Sequence, residues 1–300
     1  MSRLWLFFLM LLPVGAAASA PRVLVTIAPI HSLVAGVTQG VGEPQLLLPA
    51  GSSPHNYALR PSDARRLDTA DLIVWVGEPL ERFLVKPLST LSTPEALLTL
   101  VELPELKLID AETNAHARDP HHDTDHHHGT LDPHLWLDPY NAKVIVAAVA
   151  ARLSQLDPAN AARYRANAEH LEARLQQLDN RLRERLQPVR NLPYVVFHDG
   201  YRYFEQRYDL HPIGAIALNP EQGVGARQLA NIHARIEDSG ARCVFREPQF
   251  TPKLAKTVTR GTPAKLGVLD PLGAELEPGP EAYVLLMENL ADALVNCLAR

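Results

Sequence analysis

Residues 157–188 constrain the fold more than any other stretch of the chain. Asp157 suits a helix N-cap and Pro158 the first helical position. Ala161, Tyr164, Ala168, Leu171, Leu175, Leu178, Leu182 and Leu186 then recur at steps of three and four, the spacing of a helix with one apolar face. Pro188 ends the run, and neither Pro nor Gly interrupts residues 159–187. At 1.5 Å per residue the helix is roughly 45 Å long, enough to run the length of a domain. The near-heptad seam also fits a dimerising coiled coil. It lasts only about four heptads and starts rich in Ala, so a backbone helix joining two lobes is the reading adopted.

The lobes are read from the pattern on either side. Before the helix, residues 23–28, 45–48, 71–76 and 98–103 are predicted strands; helices are expected at 30–38, 61–67 and from Pro79. Residues 139–156 form a further helix that leads into the long one. After it, strands are expected at 194–198, 212–218, 242–246 and 264–269, with helices at 201–208, 226–238, 252–260 and 283–298. Near-continuous apolar strands alternating with helices predict an α/β fold: two lobes with parallel sheets joined by one linking helix. The expected boundaries are 19–156 for the first lobe, 157–187 for the helix and 188–300 for the second lobe.

Of the 300 residues 46% are hydrophobic, enough for one large core or two moderate ones. A net charge of −5 argues against nucleic acid or an anionic membrane surface as partner. Residues 1–18 read as an export signal: Arg3, an apolar stretch over 4–12, then small residues over 16–20. Pro21 disfavours cleavage directly before it, so the cut is expected after Ala18, and after Ala20 at the latest. The signal is too short to span a bilayer, and no other run approaches 18 apolar residues. With no Cys near the cut for a lipid anchor, the mature chain is expected to be exported and soluble. In an oxidising compartment the only two cysteines, Cys243 and Cys297, are expected to form a disulfide, with two buried free thiols as the alternative. A bridge across a loop of about 50 residues stabilises by about 4 kcal/mol on the chain-entropy model.

Between the lobes' regular patterns lies a segment of another kind. Residues 112–130 carry His116, His121, His122, His126, His127 and His128 among four acidic groups, with almost nothing apolar. Such a segment cannot pack a core and is expected to be a mobile loop.

In open α/β sheets, ligands gather at the carboxyl ends of the strands. His198 ends one predicted strand and Asp270 follows another; His55 lies in the loop after residues 45–48, and His134 between the His-rich loop and the helix at 139. Each lobe therefore offers two candidate ligands to an inter-lobe cleft. Three imidazoles and a carboxylate suit a borderline cation such as Zn²⁺. Taken singly, each of these histidines is more often a structural or solvated residue than a ligand, and only their common placement singles them out. His31, His170, His211 and His233 are read as structural or solvated. Glu247 follows a strand and fits either a partner for a ligand His or a surface ion pair.

Four blocks carry a resemblance: 51–63 (GSSPHNYALRPSD), 132–139 (DPHLWLDP), 197–208 (FHDGYRYFEQRY) and 269–273 (LDPLG). In these, in the long helix and in the Cys pair, the chain resembles the substrate-binding proteins of metal-uptake ABC transporters, and among them the zinc-type periplasmic protein. The resemblance implies a periplasmic monomer that captures Zn²⁺ between two lobes and hands it to a membrane permease. Carried over, His55, His134 and His198 match the imidazole ligands and Asp270 the carboxylate. Manganese-type relatives have Glu at the place of His198, so His there favours zinc. Some zinc-type relatives have an acidic residue before the first His; here it is Pro54, which leaves Asp270 or a water for the fourth position. The His-rich loop also resembles a feature of zinc members, and implies weaker auxiliary metal sites.

Other readings are a manganese- or iron-type protein of the same family, a secreted zinc hydrolase, and an adhesin or metal buffer. The hydrolase lacks an HExxH segment and an assignable general base. With no kink in the linking helix, metal is expected to enter by local loop movement. Since imidazole must be neutral to ligate, affinity is expected to fall below about pH 6.

Overall fold

The computed structural model describes residues 20–91, 94–110, 131–217 and 223–299. The expected export signal at 1–18 and the six histidines of 112–130 therefore lie outside the described residues. Strands β1 (Val23–Val25), β2 (Gln45–Leu46), β3 (Leu72–Trp75) and β4 (Leu97–Thr99) form one parallel sheet in the order β2-β1-β3-β4. Strands β5 (Tyr194–His198), β6 (Pro212–Ala217), β7 (Cys243–Arg246) and β8 (Lys265–Val268) repeat that order as β6-β5-β7-β8. Every residue of β1, β3 and β5 is buried, as expected of strands covered on both faces.

Helices α1 (Ala28–Thr38), α2 (Pro61–Thr69) and α3 (Arg82–Leu88) belong to the first lobe. The helix expected from Pro79 starts only at Arg82, because the chain first turns back on Gly77, whose carbonyl accepts from Leu80 and Glu81. That turn sends Glu81 inward, where it accepts from the Thr26 hydroxyl and the Gly77 amide. Burial pushes its pKa up to about 7. The fourth strand is also shorter than expected, giving way to a 3₁₀ turn at Leu100–Glu102.

Asp138 caps α4 (Pro139–Leu156), its carboxylate accepting from the Tyr140 amide at 2.8 Å. The long helix α5 (Ala161–Leu186) follows a 3₁₀ turn at Pro158–Asn160. Asp157 does not cap its backbone; it accepts from Asn160 Nδ2 and from the Tyr164 hydroxyl. The apolar seam of α5 is buried against α4 and α1. The approach to α1 is close: a Cβ at Gly36 would lie 2.7 Å from Leu171 Cδ2.

The second lobe adds α6 (Arg202–Tyr208), α7 (Ala226–Ser239), α8 (Lys253–Thr259) and α9 (Ala282–Leu298). The linking helix does not join the lobes alone. Helix α9 packs on both α5 and α1, and its Tyr283 amide donates to Ser32 Oγ at 2.8 Å. Arg174–Glu281, Arg181–Glu288 and Arg185–Asp292 pair at a constant offset, so α5 and α9 run parallel along a shared edge. A disulfide joins Cys243 in β7 to Cys297 in α9. One apolar core runs from β1 through α5 into β5 and α9, and a smaller one lies under α7 and α8. The lobes share packed side chains, not merely a tether.

Candidate metal centre

The carboxyl ends of the two sheets meet at three histidines. His55 sits on the loop between β2 and α2, and its amide donates to Ser53 Oγ at 3.3 Å. His134 opens a 3₁₀ turn, Leu135–Leu137, on the approach to α4. His198 is the last residue of β5. The Nε2 atoms of His55 and His134 are 3.4 Å apart and those of His134 and His198 3.1 Å; all three potential ligand atoms lie within 4.8 Å of one another. Two imidazole nitrogens on one tetrahedral Zn²⁺ at a Zn–N length of about 2.05 Å would be roughly 3.4 Å apart, so the spacing fits a shared ion.

Two of the rings are oriented from behind. His134 Nδ1 donates to Asp132 Oδ1 at 2.8 Å, and His198 Nδ1 donates to Glu247 Oε1 at 2.6 Å. Each carboxylate thereby fixes the tautomer whose Nε2 carries the free lone pair. Asp132 and Glu247 are only 2% and 1% exposed, which strengthens both interactions. Of the two readings left open for Glu247, the surface ion pair fails: the residue is buried against the His198 ring. Asp132 was missed, although its D-x-H spacing within DPHLWLDP offered the signal.

The glycine two residues beyond His198 makes room for its ring. A Cβ at Gly200 would lie 2.2 Å from His198 Nε2, so any side chain there displaces the imidazole. From the other lobe, the Asp132–Trp136 segment is held by second-lobe groups. Tyr203 donates to the Asp132 carbonyl at 2.9 Å, Tyr283 to the Trp136 carbonyl at 2.7 Å, and Trp136 Nε1 to the Pro271 carbonyl at 2.9 Å. The His55 loop is half-exposed and lacks such ties among the described residues.

Converging lone pairs in a buried space favour a cation over three protons. Burial and the neighbouring imidazoles of His134 and His198 push the His55 pKa down to about 2, so His55 is neutral and ready to ligate. At His198, burial opposes charging, but Glu247 and then Asp132 and Asp199 override it and hold the pKa above the ordinary value. Proton competition therefore begins above the pH of about 6 expected from unperturbed histidine.

Asp270 is not in the cluster. Its carboxylate accepts from Gln249 Nε2 and from the amides of Leu272, Gly273 and Ala274, the turn that follows β8. The histidines expected to be structural behave so: His31 Nε2 meets the Pro44 carbonyl and His233 Nε2 the Arg260 carbonyl. His211 lies beside Asp209 at the surface. In front of the three imidazoles is a small cavity of about 10 Å³, room for one water-sized group, walled by Pro54, Trp136, Gln249, Phe250 and Pro271.

Two α/β lobes around a shared core, with three imidazoles converging where they meet, define a bilobal metal-ion-binding protein. Residues 23–297 match the family described as zinc-uptake complex component A, periplasmic, and the chain belongs to that family. It is 41% identical to the high-affinity zinc uptake system protein ZnuA of Brucella suis biovar 1 (strain 1330), with 95% of each chain covered. Identity to the protein of the same name from Yersinia pestis is 37%, covering 95% of this chain and 93% of that one. The fold is shared with a crystal structure of ZnuA (TM-score 0.77, 24% identity, 93% of this chain and 99% of that one). It is also shared with the periplasmic zinc binding protein TroA from Treponema pallidum (TM-score 0.79, 24% identity, the same coverage). Family membership favours the transport reading over the hydrolase and adhesin readings. No helix among the described residues is long and apolar enough to cross a membrane.

Proposed function

We propose that the protein captures Zn²⁺ in the periplasm through His55, His134 and His198 and delivers it to the membrane permease of a zinc ABC transporter. The observation that carries this reading is the spacing of the three Nε2 atoms, two of them turned inward by buried carboxylates. Three neutral imidazoles prefer Zn²⁺ to the harder Mn²⁺, which favours oxygen donors. A site made of lone pairs and fixed dipoles supplies affinity without chemistry on the cargo, as capture and release require. Competition titration of zinc should show one tight ion per chain. Replacing any of the three histidines by Ala should weaken it by a factor of about 100 or more. Wild-type affinity in all three variants would overturn the assignment.

The protein acts as a monomer, with residues 1–18 removed on export, and 19–156 and 188–300 form the lobes on either side of the linking helix at 157–187. The His-rich segment 112–130 supplies weaker auxiliary sites. Its position supports this: the chain leaves it at Leu131, three residues before His134.

A further inference from the structure

Resting on the three-imidazole reading, we propose that Gln249 holds a water as the fourth ligand of the bound cation, and that Asp270 serves as the anchor of Gln249 rather than as a ligand. Asp270 Oδ1 accepts from Gln249 Nε2 at 2.8 Å, Leu272 N at 3.1 Å and Gly273 N at 3.0 Å, and Oδ2 accepts from Ala274 N at 2.6 Å. Four donors fill about all the lone-pair sites a carboxylate has. To reach the imidazoles, Asp270 would have to abandon the turn it organises.

Gln249 stands between the two. Its Nε2 is committed to Asp270, while its Oε1 is buried without a hydrogen-bond partner, and the residue lines the cavity in front of the histidines. A buried amide oxygen left without a donor costs about 1–3 kcal/mol. A water on Zn²⁺ supplies that donor, since the cation polarises its O–H bonds and a tetrahedral ion with three protein ligands has one position left. The carboxylate of Asp132 also has an unpartnered oxygen, but Asp132 does not line the cavity. Glu247 is occupied by the His198 ring and amide. Anchoring by Asp270 orients the amide so that its oxygen, and not its nitrogen, faces the cation.

Co²⁺ is the probe, because its visible absorption reports the ligand set. The full chain should bind one Co²⁺ tightly, apart from any weaker auxiliary ions, and thiocyanate should displace the water and shift the absorption band. Asp270→Asn should keep the band and the thiocyanate response, since no ligand is lost, and should weaken Co²⁺ no more than Gln249→Leu does, through loss of the anchor alone. Gln249→Leu should retain Co²⁺ on the imidazoles but weaken it roughly tenfold and change the thiocyanate affinity. A wild-type spectrum indifferent to thiocyanate, with a displaced band in Asp270→Asn, would make Asp270 the ligand and overturn the proposal. So would a Gln249→Leu protein identical to wild type in both titrations. Failure of the wild-type chain to bind one Co²⁺ would instead overturn the three-imidazole site itself.

Discussion

Glu247 Oε1 lies 2.6 Å from His198 Nδ1, with 1% and 4% of the two side chains exposed. The pair ties the end of β7 to the end of β5, so the strand register itself delivers a carboxylate behind the imidazole. Replacing Glu247 by Gln keeps the shape and removes the charge. Zinc affinity at neutral pH should fall by a factor of about 10–100.

The same variant has a pH signature. The folded-state pKa of His198 is raised, so its contribution to the stability of the metal-free protein is fully present below about 6.5 and is lost as pH rises through the folded value. Glu247→Gln should therefore destabilise the metal-free protein more at pH 5.5 than at pH 8.5. Its zinc affinity should also fall off at a lower pH than wild type, because less proton must be displaced from His198. Thermal melts and zinc competition across that range check both; parallel pH profiles for the two proteins would count against the pairing.

Gly200→Ala tests the room beside His198. A Cβ 2.2 Å from Nε2 cannot be accommodated by rotating the ring, because Glu247 holds Nδ1. Zinc affinity should drop at least about tenfold, and overpacking should lower stability by about 1–3 kcal/mol. Calorimetry and denaturant unfolding measure the two effects separately, and unchanged zinc binding would show that the ring has another resting place.

Deletion of residues 112–130 should leave the tight site intact. Asp110 and Leu131 already pair as an antiparallel bridge, and the Asp132 amide donates to the Ile109 carbonyl at 2.8 Å, so the flanking ends meet without the segment. Zinc stoichiometry should fall toward one, with Tm within about 2 °C of the full chain. Loss of the tight ion on deletion would contradict the division between main and auxiliary sites.

Zinc loading should move the lobes little. The continuous core and the parallel α5–α9 edge would both have to shear for a wide closure. The His55 loop is the freer part, so movement should concentrate there. Spin-label distances between the lobes should change by less than about 5 Å on adding zinc, and a closure of about 10 Å would show that the helices hinge.

The sequence by itself determined what depends on local periodicity and chain order. The apolar seam of α5 dictates a long helix because every third or fourth residue must find a core. The apolar runs of β1, β3 and β5 dictate buried parallel strands, and two cysteines in an exported chain pointed to one bridge. Position at a strand end or in a loop between elements likewise singled out His55, His134 and His198 as candidates. Whether their nitrogens converge was a matter for the tertiary structure, since it depends on how residues up to 143 positions apart, from His55 to His198, are brought together by two sheets and a shared core. The same holds for Asp270. A carboxylate after a strand can ligate a cation or bind the amides of its own turn, and no spacing rule separates the two. The fold placed Gln249 beside it and turned it to the backbone. It also brought Glu247 behind His198, through the pairing of their two strands in one sheet, and laid α9 across the lobes as a second link beside α5. Such long-range pairings leave no periodic trace, because they are set by packing between elements and not by the order of residues within one.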